Sequence, residues 1–107
     1  MKVKNNNITI TRGDSEGIKL TFKNYELTEE DLIELTVREN LRSPIVIHKE
    51  AELMSDGTAL ITIQPEDTSK LDFGEYVYDV QITFVSGSVK TVVGPSKFFI
   101  GGEVTYE

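Results

Sequence analysis

The sequence contains no cysteine and no tryptophan, and it has one histidine, His48, and three prolines. Without cysteine, disulfides, zinc–thiolate centres and thiol catalysis are excluded. One histidine cannot build a multi-histidine metal site. Basic residues are also few, because Lys and Arg total 11 against 18 Asp and Glu, giving a formal net charge of −7. Such a balance repels phosphate backbones, so we expect no nucleic-acid partner.

Long apolar segments are absent as well. The runs at 45–47 and 98–100 are three residues long, whereas a membrane-spanning helix needs about 20 apolar residues. Residues 1–7 are polar and lack the apolar stretch of a secretory signal. We therefore expect no signal peptide and no membrane partner, and we expect residues 1–6 to fray.

The residues that are present suffice for one globular domain. Of the 107 residues, 38% are hydrophobic and 27% are charged, as in ordinary folded domains. A chain of this length buries about two-thirds of the surface that it exposes when unfolded. The sequence therefore predicts a single domain over residues 1–107, with one core and no disulfide.

The dominant hydrophobic period is two, which is typical of strands with one buried face. Alternating runs at 8–11, 18–23, 33–38, 59–63, 76–84 and 89–93, and short apolar runs at 45–48 and 98–100, are separated by turn-forming residues. About seven short strands predict an all-β, immunoglobulin-like antiparallel sandwich. The predicted inner faces comprise Ile18, Leu20, Phe22, Ile33, Leu35, Val37, Ile61, Ile63, Tyr76, Tyr78, Val80 and Ile82.

Three segments depart from this strand pattern. Residues 27–31 and 65–71 each contain helix-starting residues, and we expect one helical turn in each. Gly94-Pro95 is expected to divide the last strand, because proline cannot donate a hydrogen bond to a central ladder.

The most informative motif is Asp72-Phe73-Gly74-Glu75-Tyr76, at the start of the longest strand. Asp-x-Gly-x-Tyr is typical of the tyrosine corner of immunoglobulin-like sandwiches, in which the tyrosine hydroxyl bonds to the backbone a few residues upstream. Gly74 permits the sharp turn. Asp72, Gly74 and Tyr76 are thus predicted to form a structural corner, in a sandwich that lacks the cysteine pair of antibody domains.

Nearly the whole chain, from about Asn7 to Thr105, resembles the Ig-like modules of tailed-phage and prophage tail proteins, notably the N-terminal domain of baseplate upper proteins. The resemblance rests on the order and spacing of short matching pieces. These are residues 8–14, 18–22, 27–28, 33–38, 56–57, 61–63, 65–68, Leu71, 74–80, Gly87, Thr91, Gly94, Phe98 and 103–105. Gly94-Pro95-Ser96 departs from the plainer sequence expected before the last strand.

The resemblance implies a structural adaptor of the virion without catalytic residues. Its partners would be other tail or baseplate proteins or a second copy, with the isolated domain a monomer or weak dimer. Its location would be the phage tail, after synthesis in the bacterial cytoplasm. Two alternatives stay open: a carbohydrate-binding or adhesion module of a bacterial surface protein, and a small enzyme.

Other motifs have simpler structural explanations. Arg12-Gly13-Asp14 matches an integrin-binding tripeptide but also suits a turn. His48 has no recognisable nucleophile motif beside it, and the loop acids lack the spacing of an EF-hand. We therefore expect no catalytic, cofactor-binding or metal-binding residues, and no change in thermal stability on adding calcium or EDTA.

Two apolar segments are candidates for a partner interface. Ile45, Val46 and Ile47 follow Pro44 in a short, peripheral strand, and Phe99 stands between two other apolar residues in the last strand. In both segments apolar residues occupy both faces of the strand, so one face needs a cover other than the core. We predict that association uses one of these segments.

Overall fold

The protein is represented by a computed structural model that describes residues 1–22 and 25–102. Lys23 and residues 103–105, which belong to patterns noted above, lie outside the described residues. Within the described ranges there are nine strands and one short helix. These are β1 (Lys2–Lys4), β2 (Asn7–Thr11), β3 (Glu16–Leu20), β4 (Leu32–Arg38), β5 (Ile45–Glu50), β6 (Glu52–Leu53), β7 (Ala59–Ile63), α1 (Pro65–Thr68), β8 (Gly74–Thr83) and β9 (Val89–Gly101).

The strands form two sheets, and the predicted all-β, immunoglobulin-like sandwich is confirmed. The larger sheet has the order β1-β2-β9-β8-β4-β5, and the smaller has the order β3-β7-β6. One detail of the prediction was wrong, because the larger sheet is mixed. Strand β2 runs parallel to β9, with Ile8 opposite Phe98 and Ile10 opposite Ile100.

The core between the sheets contains more residues than the twelve predicted for the inner faces. Ten of the twelve predicted inner-face residues are buried, while Leu20 and Phe22 are partly buried at its margin. The buried residues that were not predicted come mainly from β2, β5 and the end of β9: Ile8, Ile10, Ile47, Ala59, Phe98 and Ile100. The β2–β9 pairing therefore closes one side of the core.

The N-terminal segment was expected to fray, but residues 2–4 form strand β1. Strand β1 pairs antiparallel with β2, with Lys4 opposite Asn7. Asn5 and Asn6 have φ values of 53° and 68°, which are typical of a two-residue type I′ hairpin turn. Asparagine tolerates this left-handed conformation better than most residues do, so the asparagine run is a turn and not a loose end.

Gly94 and Pro95 do not divide the last strand. Ser96 pairs with Tyr78 and Val93 pairs with Val80, so Gly94 and Pro95 together lie opposite the single residue 79. This is a β-bulge, which accommodates a residue without an N–H group. Strand β9 consequently runs through 13 residues.

Only one of the two expected helical turns is a helix. The turn at 65–68 is α1, and its start is fixed by the Gln64 N–H group, which donates to Asp67 Oδ2 at 2.6 Å. Residues 28–31 form a tight turn instead, in which the Asp31 N–H group donates to the Thr28 carbonyl at 3.0 Å. Because β4 begins at Leu32, no residues remain for helical propagation.

Candidate interaction surfaces

The predicted corner residues come together at the start of β8. The Tyr76 hydroxyl donates to the Asp72 carbonyl at 2.8 Å, and its side chain is buried. Gly74 has a φ of +142°, which only glycine adopts readily. Burial raises the pKa of Tyr76, and the nearby charges of Asp72 and Glu39 raise it further. The corner is thus a structural element whose hydroxyl is already engaged.

The Arg12-Gly13-Asp14 turn packs against this corner. The Arg12 guanidinium lies 4.1 Å from the centre of the Phe73 ring and donates to the Leu71 carbonyl at 3.3 Å. The Gly13 N–H group donates to the fully buried Thr68 hydroxyl at 2.9 Å. The Arg12 side chain and the Gly13 backbone therefore attach this turn to the segment that precedes β8, which is a structural role for the tripeptide.

Tyr78 has a role that the sequence analysis missed. Its hydroxyl donates to the Asn6 carbonyl in the turn between β1 and β2. Its ring packs edge-on against Phe98, with the ring centres 6.0 Å apart. Burial raises the pKa of Tyr78. Tyr78 therefore ties the N-terminal hairpin to the core.

The four predicted interface residues have different environments. Ile45 is 48% exposed, whereas Ile47 is 4% exposed and belongs to the core. The inclusion of Ile47 in the interface was therefore wrong. Its side chain points inward because it pairs with the buried Val37, and Val46 is the extra residue of a bulge between Val37 and Arg38. Phe99 is half-buried, in a depression shared with Lys2, Lys4, Asn5, Asn7 and Thr9.

The side chains on the outer face of the larger sheet carry opposite charge at its two edges, whereas Lys49 of β5 lies on the inner face, with its Nζ 2.7 Å from Asp67 Oδ2. At one edge, which we call the β1 edge, Lys2 and Lys4 form no ion pair with any residue in the described ranges. At the other, the β5 edge, Glu50 lies directly opposite Glu34. The His48 imidazole Nε2 is 2.7 Å from Glu34 Oε2.

Two carboxylates in the loops, those of Asp31 and Asp56, accept hydrogen bonds from turn residues. Asp56 Oδ1 accepts hydrogen bonds from the Thr58 hydroxyl at 2.6 Å and the Thr58 N–H group at 3.1 Å. Asp31 accepts from the N–H groups of Thr28 and Val85, at 2.9 and 3.0 Å. These hydrogen bonds lower the pKa values of both carboxyls. Within residues 1–22 and 25–102, no group of three or more His, Cys, Asp or Glu side chains is arranged so that it could hold a metal ion.

Two further depressions on the surface are lined by both polar and apolar residues. A depression of about 310 Å³ on the outer face of the larger sheet is lined by Thr36, Arg38, Leu41, Val77, Tyr78, Asp79, Gln81 and Pro95. A second, of about 240 Å³, lies at the seam between β3 and β9, and Val3, Leu20, Phe22 and Val93 contribute to its lining. Within the described part of the chain, no helix has the length and apolar character needed to cross a membrane.

Comparison with known proteins gives a fold but no family. No protein-family model matches the chain, and no curated protein is significantly similar to it in sequence. Among solved structures, the chain is similar to CopC from Methylosinus trichosporium OB3b, with a TM-score of 0.52 and 13% sequence identity. The superposition covers 94% of this chain and 89% of CopC. At this identity the likeness extends to the β-sandwich alone.

Proposed function

We propose that the domain is a structural assembly module of a phage or prophage tail or baseplate, and that it acts by protein–protein contact. The phage setting comes from the sequence resemblance over residues 7–105. The contact role is supported by the surface described above, where exposed apolar side chains occur together with strand edges that are unpaired within residues 1–22 and 25–102.

The observation that carries the contact role is the outer edge of β5. Among the residues that the structure describes, this strand is last in the larger sheet and pairs with β4 on one side only. Ile45 presents an exposed apolar side chain there, while Ile47 anchors the same strand in the core. An exposed apolar side chain on a strand that is anchored in the core suits docking, because little order is lost when a partner binds.

The phage setting is tested by isolating tail particles from the host strain and searching them for this chain by mass spectrometry. We expect the chain to be present in stoichiometric amounts and its gene to lie among tail genes. Absence from the particles, with neighbouring genes of metabolism, would overturn the proposal.

The contact role is tested with two exposed apolar positions in the full-length protein. We expect Ile45→Lys to reduce incorporation into tail particles strongly, because a lysine cannot replace the apolar contact. The matched control is Val85→Lys in the β8–β9 turn, where the side chain is 68% exposed. Thermal melts of both variants check that they fold. Equal incorporation of the two variants would show that the contact does not use Ile45 of β5.

A further inference from the structure

We infer that copies of this domain associate head to tail, with the β5 edge of one copy docked on the β1 edge of the next. The inference rests on the proposed assembly role, for which it names one partner, a second copy of the chain. Such an interface joins two different surfaces and therefore builds a ring, or a filament where the rotation does not close.

The charges that would meet lie on one face of the larger sheet. Lys2 pairs with Thr9, Thr9 with Phe99, and Phe99 with Glu75, so these side chains share the outer face. Glu50 and Glu34 lie on the same outer face at the opposite edge. A sheet continued from β5 to β1 of a second copy therefore brings Lys2 and Lys4 beside Glu50.

The β5 edge has an unfavourable electrostatic arrangement that such a partner would relieve. Glu34 and Glu50 are direct cross-strand partners, and like charges in that position destabilise a sheet. His48 contacts Glu34 at 2.7 Å, but Glu50 forms no ion pair within the described ranges. A lysine from a second copy would complete the neutralisation of this pair.

The two edges also match in length and regularity. The bulge at Val46 and the preceding Pro44 disrupt the first half of β5, as is usual where proteins protect an edge. Residues 48–50 remain regular, and β1 is likewise three residues long. All three β1 residues are exposed, and within the described ranges β1 pairs with β2 alone. Docking at 48–50 would give β1 a second neighbouring strand.

The test is a charge exchange followed by sedimentation velocity over a wide protein concentration range. The first variant, Lys2→Glu/Lys4→Glu, has two acidic edges, and the second, Glu34→Lys/Glu50→Lys, reverses both carboxylates of the β5 edge. We expect the wild type to associate at low ionic strength and to dissociate at high ionic strength. Each variant alone should associate at least about tenfold more weakly, and a mixture of the two should recover association.

Control variants with a single charge reversal of the same sign are Lys70→Glu and Glu26→Lys, at exposed positions, and both should behave as wild type. Circular dichroism and thermal melts verify that every variant folds. A wild type that stays monomeric at all concentrations and low salt overturns the inference. So does undiminished association of either double variant alone, since that requires an interface without the other edge. Neither result affects detection of the chain in tail particles, which tests the assembly role separately.

Discussion

Tyr76 and Tyr78 point the same way from β8, and their hydroxyls stabilise different regions of the molecule. The Tyr76 hydroxyl bonds to a carbonyl four residues upstream and closes the corner. The Tyr78 hydroxyl bonds to a carbonyl 72 residues away and holds the N-terminal hairpin. The corner is a short-range structure in which the exposed residues 72–75 lead into the buried Tyr76. The second hydroxyl instead holds the turn between the exposed strand β1 and the buried strand β2. The same side-chain chemistry therefore stabilises a short-range turn in one place and a long-range attachment in the other.

The strongest test of this difference is Tyr76→Phe. The Asp72 carbonyl would lose its donor in a partly buried site, so we expect unfolding to become easier by about 1–3 kcal/mol. Urea melts at constant slope measure this change. Tyr25→Phe is the control, because that hydroxyl makes no hydrogen bond to a residue within the described ranges. An unchanged midpoint for Tyr76→Phe would show that the corner contributes nothing.

Tyr78→Phe should have a smaller and more local effect. Loss of the bond to Asn6 should cost about 0.5–1.5 kcal/mol, and β1 with the turn at residues 5–6 should open without the rest of the domain. Hydrogen exchange should therefore quicken at the amides of β1 and of this turn more than at those of β8. Exchange that quickens equally throughout the sheet would contradict a local role for Tyr78.

The sequence predicted the corner and most of the core because both depend on residues close together in the chain. Asp72, Gly74 and Tyr76 fall within five positions, and alternation along one strand identifies its buried face. The parallel pairing of β2 with β9 joins residues about 90 positions apart, so no local pattern indicates it. The burial of Ile8 and Phe98 follows from that pairing.

The candidate interface was predicted less well, for two physical reasons. A bulge at Val46 shifts the alternation in β5, so the apolar run at 45–47 could not show that Ile47 points inward while Ile45 is exposed. The asparagine run at 5–7 did contain a usable signal, since Asn-Asn suits the positive φ angles of a type I′ turn. Recognising it would have predicted the β1–β2 hairpin.

Alkaline pH should weaken the contributions of both tyrosines. Their folded-state pKa values are raised above the ordinary value near 10, chiefly by burial. The stabilisation is therefore complete below about pH 10 and is lost as the pH rises through the folded-state values. Unfolding midpoints should fall over that range in the wild type and less steeply in Tyr76→Phe/Tyr78→Phe. Parallel decline in the two proteins would mean that other groups control alkaline unfolding.

The smallest effect is expected for Asp31→Asn, in a third contact between distant segments. The Asp31 carboxylate joins the turn before β4 to the β8–β9 turn through the N–H groups of Thr28 and Val85, which lower its pKa. Its contribution is therefore present above the ordinary aspartate pKa of about 4 and is lost as the pH falls through the lower folded-state value. Acid titrations of the unfolding midpoint should show a shallower loss in Asp31→Asn than in the wild type. Asp14→Asn serves as the control, since that carboxylate makes no hydrogen bond within the described ranges. If both variants reduce the acid-induced loss of stability equally, the net charge of the protein and not this contact determines that loss.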